Sequence, residues 1–194
     1  MARPREFDLE QALERAMQKF WAQGYEATSL DDLCDATGLG RSSLYAAFGD
    51  KRGIYLRALA HYEEAAVKRI TATLHASASP LDAIRAFVKR IIDDIVAGPG
   101  RRGCFFGNCA AELARQDRAA ASQVKAGIER VQAIFQNALL KAQRAGELPR
   151  EADTGAIAAF LVSGIQGLRL VGKANPERKT LENIAKVMLR CIEH

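Results

Sequence analysis

The stretch DDLCDATGLGRSSLYAAFGDK, residues 31 to 51, decides the fold. Two short apolar patterns flank Gly38-Leu39-Gly40. The second opens with Arg41, Ser42 and Ser43, where a core helix would carry bulk. A helix of about two turns, a tight glycine-bearing turn and a second helix of similar size is the helix-turn-helix pattern, whose second helix can lie in a major groove. That groove is about 12 Å wide, so a face of short side chains can reach base edges that a bulky face would hold away.

Outward from this stretch, almost every segment repeats apolar residues at spacings of three and four, the signature of amphipathic helices. The residues from Asp8, a candidate N-cap, lay Leu9, Ala12, Leu13, Ala16, Met17 and Phe20 on one face and stop at Gly24. Thr28 is the next candidate cap, with Asp31 three residues on as an imperfect capping box. A short second helix then ends at Gly38, and a third runs from Arg41 to Phe48 with Leu44 and Phe48 on its buried side. Asp50 caps a long fourth helix reaching His75. Further helices are expected near 81–97, 104–116, 118–145, 152–173 and 177–193, broken by GPGRRG, GELPRE and KANPE. The reading is all-α, with about nine helices: an N-terminal three-helix helix-turn-helix domain (1–55) and a larger C-terminal helical domain (56–194).

Totals narrow the function. With 48% hydrophobic and 26% charged residues, the chain can bury a core. No secretory leader is visible, and AIAAFLVSGIQGLRLVG (156–172) is interrupted by Ser163, Gln166 and Arg169, so a cytoplasmic protein with no membrane span is expected. The net charge of +5 suits a nucleic-acid partner. Residues 1 to 60, however, hold 8 Lys/Arg against 9 Asp/Glu, so any DNA contact there depends on where the cations stand. Four scattered cysteines (Cys34, Cys104, Cys109, Cys191) read as free thiols, and His61, His75 and His194 form no metal-ligand spacing. No cofactor or metal is expected. No Ser/His/Asp or Cys/His pair, no Glu-x-x-His and no facing acidic pair supports a helical enzyme; a helical interaction module without DNA binding is the other class open.

ATSLDDLCDATGLGRSSLYAAFGDKRGIYLRAL, residues 27 to 59, resembles the DNA-binding signature of the TetR family of transcriptional regulators. The matching elements are Thr28, Leu30 with Leu33, Gly38-Leu39, Leu44-Tyr45, Phe48 and Lys51. Gly40 departs from the Ser or Thr that relatives often carry, and Asp31, Asp32 and Asp35 put negative charge near any phosphate. The resemblance implies that Tyr45, Lys51 and Thr28 contact phosphates and that Arg41 reads bases, with Ser42 and Ser43 beside it. It also implies that Arg3 and Arg5 reach the backbone or minor groove. A surface aromatic at Tyr45, a solvated Lys51 and a solvated tail at Arg3 and Arg5 are the plainer readings.

The resemblance further implies a homodimer on double-stranded palindromic operator DNA, relieved by a small-molecule inducer. Phe160, Leu161, Gly164, Leu168, Ile184, Val187, Met188 and Cys191 on the last two helices are the expected dimer face, with Gly164 and Gly167 allowing close approach. Phe87, Ile91, Phe105, Asn108, Cys109, Glu112 and Phe135 are the expected ligand contacts; each stripe can equally be core, and Glu112 a surface residue. Cys104 follows Arg101-Arg102 at a helix start, and some relatives sense electrophiles or oxidants through cysteine, so Cys104 and Cys109 are candidate redox residues. Buried packing is their other reading.

Overall fold

A computed structural model describes residues 6–193. It contains nine α-helices and no strand among the described residues: α1 (Glu6–Gln23), α2 (Leu30–Thr37), α3 (Arg41–Phe48), α4 (Lys51–Leu74), α5 (Pro80–Ala97), α6 (Phe105–Leu113), α7 (Arg118–Arg144), α8 (Thr154–Ala174) and α9 (Arg178–Leu189). Short 3-10 turns follow α5 (Pro99–Arg102) and α9 (Arg190–Ile192). Helix α1 begins at Glu6, so Asp8 lies in its first turn and is not the cap the sequence suggested.

The chain forms two compact units, residues 1–65 with 105–125 and residues 66–104 with 126–194. This packing division differs from the single cut expected after residue 55, because the 105–125 segment returns to the first unit.

In the first unit, α1 buries Ala12, Ala16, Met17 and Phe20, the face its periodicity indicated. Phe20 stands edge-on to Tyr55 at 4.9 Å, and Tyr55 to Phe105 of α6 at 5.4 Å; Tyr62 packs edge-on against both Phe105 and Phe106. Phe105 and Cys109 are therefore core residues of this unit, at 1% and 0% exposure. At Gly53, near the start of α4, an added Cβ would lie 2.2 Å from the Phe48 carbonyl oxygen, so only glycine lets α4 leave α3 this closely.

The second unit is built on α5, α8 and α9, which pack on one another. Ile84, Phe87, Ile91, Ile95, Phe135, Leu139, Leu161, Leu168, Leu181 and Met188 form its interior. Helix α8 is long and apolar enough to cross a membrane by length and composition alone, with a mean hydropathy of 1.5, contrary to the expectation that no run approaches such a span. Its Leu161, Val162, Ile165 and Leu168 belong to this core.

Candidate nucleic-acid interface

Helix α2 is capped by Ser29. The Ser29 hydroxyl accepts the Asp32 N–H at 3.0 Å, and the Asp32 carboxylate accepts the Ser29 N–H at 2.9 Å, a complete capping box. The cap thus falls one residue after the expected Thr28, and its partner is Asp32 rather than Asp31. Thr28 has no exposed surface, and its hydroxyl donates to the Gly24 carbonyl at 2.6 Å. A side chain so enclosed presents nothing to a phosphate, which corrects the contact assigned to it. Lys19 of α1 pairs with Asp32 at 2.9 Å. The Ser29 hydrogen bond first, then Lys19, holds the Asp32 carboxyl below the usual carboxylate range.

The turn between α2 and α3 depends on Gly38, whose φ of +73° is left-handed and whose N–H donates to the Cys34 carbonyl at 2.8 Å. Thr37 adds a second tie, accepting the Leu39 N–H at 3.2 Å while donating to the Leu33 carbonyl. Gly40 then opens α3 in extended backbone with no side-chain cap, as its departure from Ser or Thr implied. With glycine at the cap, the missing side-chain bond costs only about a few tenths of a kcal/mol. Leu44 and Phe48, at 0% and 7% exposure, each contribute roughly 1.5–3 kcal/mol by burial, so packing rather than capping holds this two-turn helix.

Burial of Leu44 and Phe48 orients the opposite face outward. Arg41, Ser42, Tyr45 and Ala46 are exposed, while Ser43 and Ala47 sit at the margin. Ala46 was not singled out from the sequence, although its place one residue after Tyr45 and two after buried Leu44 assigns it to this face. Arg41 is held by Asp31: Nη2 donates to Oδ1 at 2.6 Å and to Oδ2 at 2.8 Å, and Nε to Oδ1 at 3.1 Å. Lys51 is half-buried, its ammonium 4.4 Å above the Tyr25 ring and 3.4 Å from the Glu26 carbonyl oxygen. It stands where α4 begins, beside the Asp50 carboxylate that accepts the Gly53 N–H at 2.6 Å as that helix's cap. Arg3 and Arg5 lie outside the described residues.

The expected ligand contacts divide between the units. Phe87, Ile91 and Phe135 are in the core of the second, with Phe87 edge-on to Phe135 at 5.5 Å. In the first unit, the Glu112 carboxylate accepts the N–H groups of Tyr25 at 2.9 Å and Glu26 at 2.8 Å, clamping the turn after α1. Asn108 stands on the same α6. Nearby, Asp117 accepts from Arg52 Nη2 at 2.8 Å and from the Ala119 and Ala120 N–H groups at the start of α7. Cys109 shares a hydrogen bond with the Tyr55 hydroxyl, and burial raises its thiol pKa. Cys104 is also buried, so neither candidate redox thiol is presented to solvent. A separate cleft of about 590 Å³ lies in the second unit, lined by Leu74, His75, Pro80, Ile134, Lys141 and Arg144 among others, and by none of the expected ligand residues.

The expected dimer face also divides. Phe160 and Val187 are 52% and 61% exposed, and Ile184 and Cys191 are half-buried. Leu161, Leu168 and Met188 are enclosed in their own protomer's core. Gly164 serves internal packing, since a Cβ there would lie 2.2 Å from Met188 Sδ; Gly167 is open. Leu170, 71% exposed, was not foreseen.

A glycine-turned helix pair that exposes a short-side-chain face beside an arginine is the frame of a sequence-reading, DNA-binding regulator. Residues 12–58 match the tetR family of bacterial regulatory proteins, and residues 80–188 match the tetracyclin repressor-like C-terminal domain. The HTH-type transcriptional repressor ComR of Escherichia coli K12 is 31% identical over 189 residues, covering 97% of this chain and 90% of ComR. YezE of Bacillus subtilis, an uncharacterized HTH-type transcriptional regulator, is 30% identical over the full length of both chains. A cysteine double mutant of the TetR family regulator CifR, complexed with 26 bp double-strand operator DNA, aligns at a TM-score of 0.85 with 29% identity, covering 97% of this chain and 98% of that one. The chain belongs to the TetR family of transcriptional regulators. It is a DNA-binding regulator and not an enzyme.

Proposed function

We propose that the protein is a cytoplasmic, ligand-relieved repressor that binds a palindromic operator as a homodimer. The observation that carries this reading is the outward face of α3, where Arg41, Ser42, Tyr45 and Ala46 stand clear because Leu44 and Phe48 are buried. Arg41 reads a guanine through paired N–H groups, Ser42 assists, and Ala46 fits a thymine methyl. Tyr45, Lys51 and marginal Ser43 contact phosphates, and Arg3 and Arg5 supply charge to the backbone or minor groove. Residues 1–55 do this work; 56–194 dimerise and take the effector.

Support for the dimer comes from α8. Ala156, Phe160, Ser163, Gly167 and Leu170 are exposed at alternating spacings of four and three, an apolar and small-residue stripe that continues to Val187 on α9. An effector in the second unit is supported by the cleft there, whose volume lies in the range of small-ligand sites.

Selection of bound duplexes from a random library tests the reading. A palindromic motif is expected, with Arg41→Ala relaxing preference at one base pair per half-site and Tyr45→Ala weakening all sequences alike. No enrichment at low salt under reducing conditions sinks it.

A further inference from the structure

Two carboxylates open α2 next to the proposed reading face, where each repels phosphate. Asp32 has structural work in the capping box and the Lys19 pair. Asp31 has no such role among the described residues: its side chain is 69% exposed, and it reaches from α2 to the first residue of α3. An ion pair this exposed contributes little to stability, so the fold does not require it.

Its geometry suggests another use. A guanidinium is planar and carries five N–H donors. Asp31 engages Nε and Nη2, with three bonds between 2.6 and 3.1 Å, and leaves both N–H groups of Nη1 uncommitted. Because the group is planar, fixing the Nε–Nη2 edge also fixes the direction of Nη1. An unheld arginine on an exposed helix samples many rotamers and loses that freedom when it meets a base; a held one has already lost it.

We propose that Asp31 is a specificity-determining positioning residue: it grips one edge of the Arg41 guanidinium so that the remaining N–H groups meet a single base pair. Its negative charge lowers affinity for operator and random duplex alike, so the gap between them comes from the held guanidinium and not from that charge. This rests on Arg41 as the base reader. If Asp31 instead competed with the base for Arg41, its removal would raise affinity and discrimination together.

The test uses the full chain, the selected operator duplex, duplexes substituted at each position, and a random duplex, all at one salt concentration because phosphate contacts are salt-dependent. Arg41→Ala is expected to lose about ten- to a hundredfold discrimination at one base pair. Asp31→Asn should lose about three- to tenfold at that same pair, a part of the Arg41 effect, and bind random duplex at least as tightly. Asp31→Glu should recover part of the loss, and adding Asp31→Asn to Arg41→Ala should change discrimination no further. Thermal melts of each variant show that it is folded. The proposal is overturned if Asp31→Asn keeps or raises discrimination, if its loss spreads over several base pairs, or if the loss persists at full size without Arg41. An Arg41→Ala protein that relaxes at no base pair removes the Arg41 reading itself, a failure visible without any change at Asp31.

Discussion

The Ser29 hydroxyl and the Asp32 carboxylate each accept the other's backbone N–H, so Ser29→Ala removes one of these bonds and loosens the other. Such a cap loss costs about 1 kcal/mol. In a chain of this length the melting temperature should fall by about 2–4 °C, while Asp31→Asn, at the position the sequence marked as cap partner, should shift it by about 1 °C or less. A larger shift for Asp31→Asn than for Ser29→Ala would return the cap to Thr28 and Asp31. Cysteine chemistry is decided at the same scale. Cys109 is fully enclosed, burial raises the thiol pKa of both Cys109 and half-buried Cys191, and Cys34 is partly exposed. A native-state alkylation time course followed by peptide mass spectrometry should label Cys34 well before Cys109. Early labelling of Cys109 or Cys104 would revive a thiol-based switch.

The segment from α6 to the start of α7 belongs to the first unit through polar links that carry no periodic signal. Glu112→Ala leaves the Tyr25 and Glu26 N–H groups without their acceptor, at a cost of about 1–3 kcal/mol that a melt would register. Asp117 adds a pH dependence. The Arg52 hydrogen bond first, then the Ala120 N–H, holds its carboxyl well below the ordinary carboxylate range. A carboxyl depressed in the folded state stabilises above its unfolded value of about 4 and loses that contribution as pH falls below it. Melting temperature should therefore drop less steeply between about pH 5 and 3 in Asp117→Asn than in the unaltered chain. Helix positions were largely legible because Gly24, Gly38, Gly49 and Gly98 all adopt positive φ at helix ends, a requirement that stands in the sequence as glycine. The exposed face of α3 followed from the four-residue spacing of Leu44 and Phe48, which are buried. The Glu112 tie to the Tyr25 and Glu26 N–H groups was not legible, because a carboxylate four residues from Asn108 looks the same whether its partner is a ligand or a distant backbone turn.

Periodicity reports that a helix has an apolar face, but not whether the surface covering it belongs to the same chain. For that reason Leu161, Leu168 and Met188 were expected at the dimer face beside Phe160 and Val187, yet they are 0%, 0% and 3% exposed within one protomer. The distinction makes the proposed dimer testable. Phe160→Glu or Leu170→Glu places a carboxylate on residues that are 52% and 71% exposed in the protomer, so folding should be little affected. In a two-fold interface each copy would bring the same charge to a surface losing its water, and unpaired buried charge is strongly disfavoured. Sedimentation should therefore show monomers with nearly unchanged melting temperature. Leu161→Ala or Leu168→Ala should instead cost about 2–5 kcal/mol of stability without acting on assembly first. Operator binding then separates the scales: the monomeric variant should hold a half-site duplex as the unaltered chain does, and lose the gain from engaging both half-sites of a palindrome at once. A Phe160→Glu, Leu170→Glu double variant that stays dimeric and keeps full palindrome affinity would remove α8 from the interface and direct the search to another face.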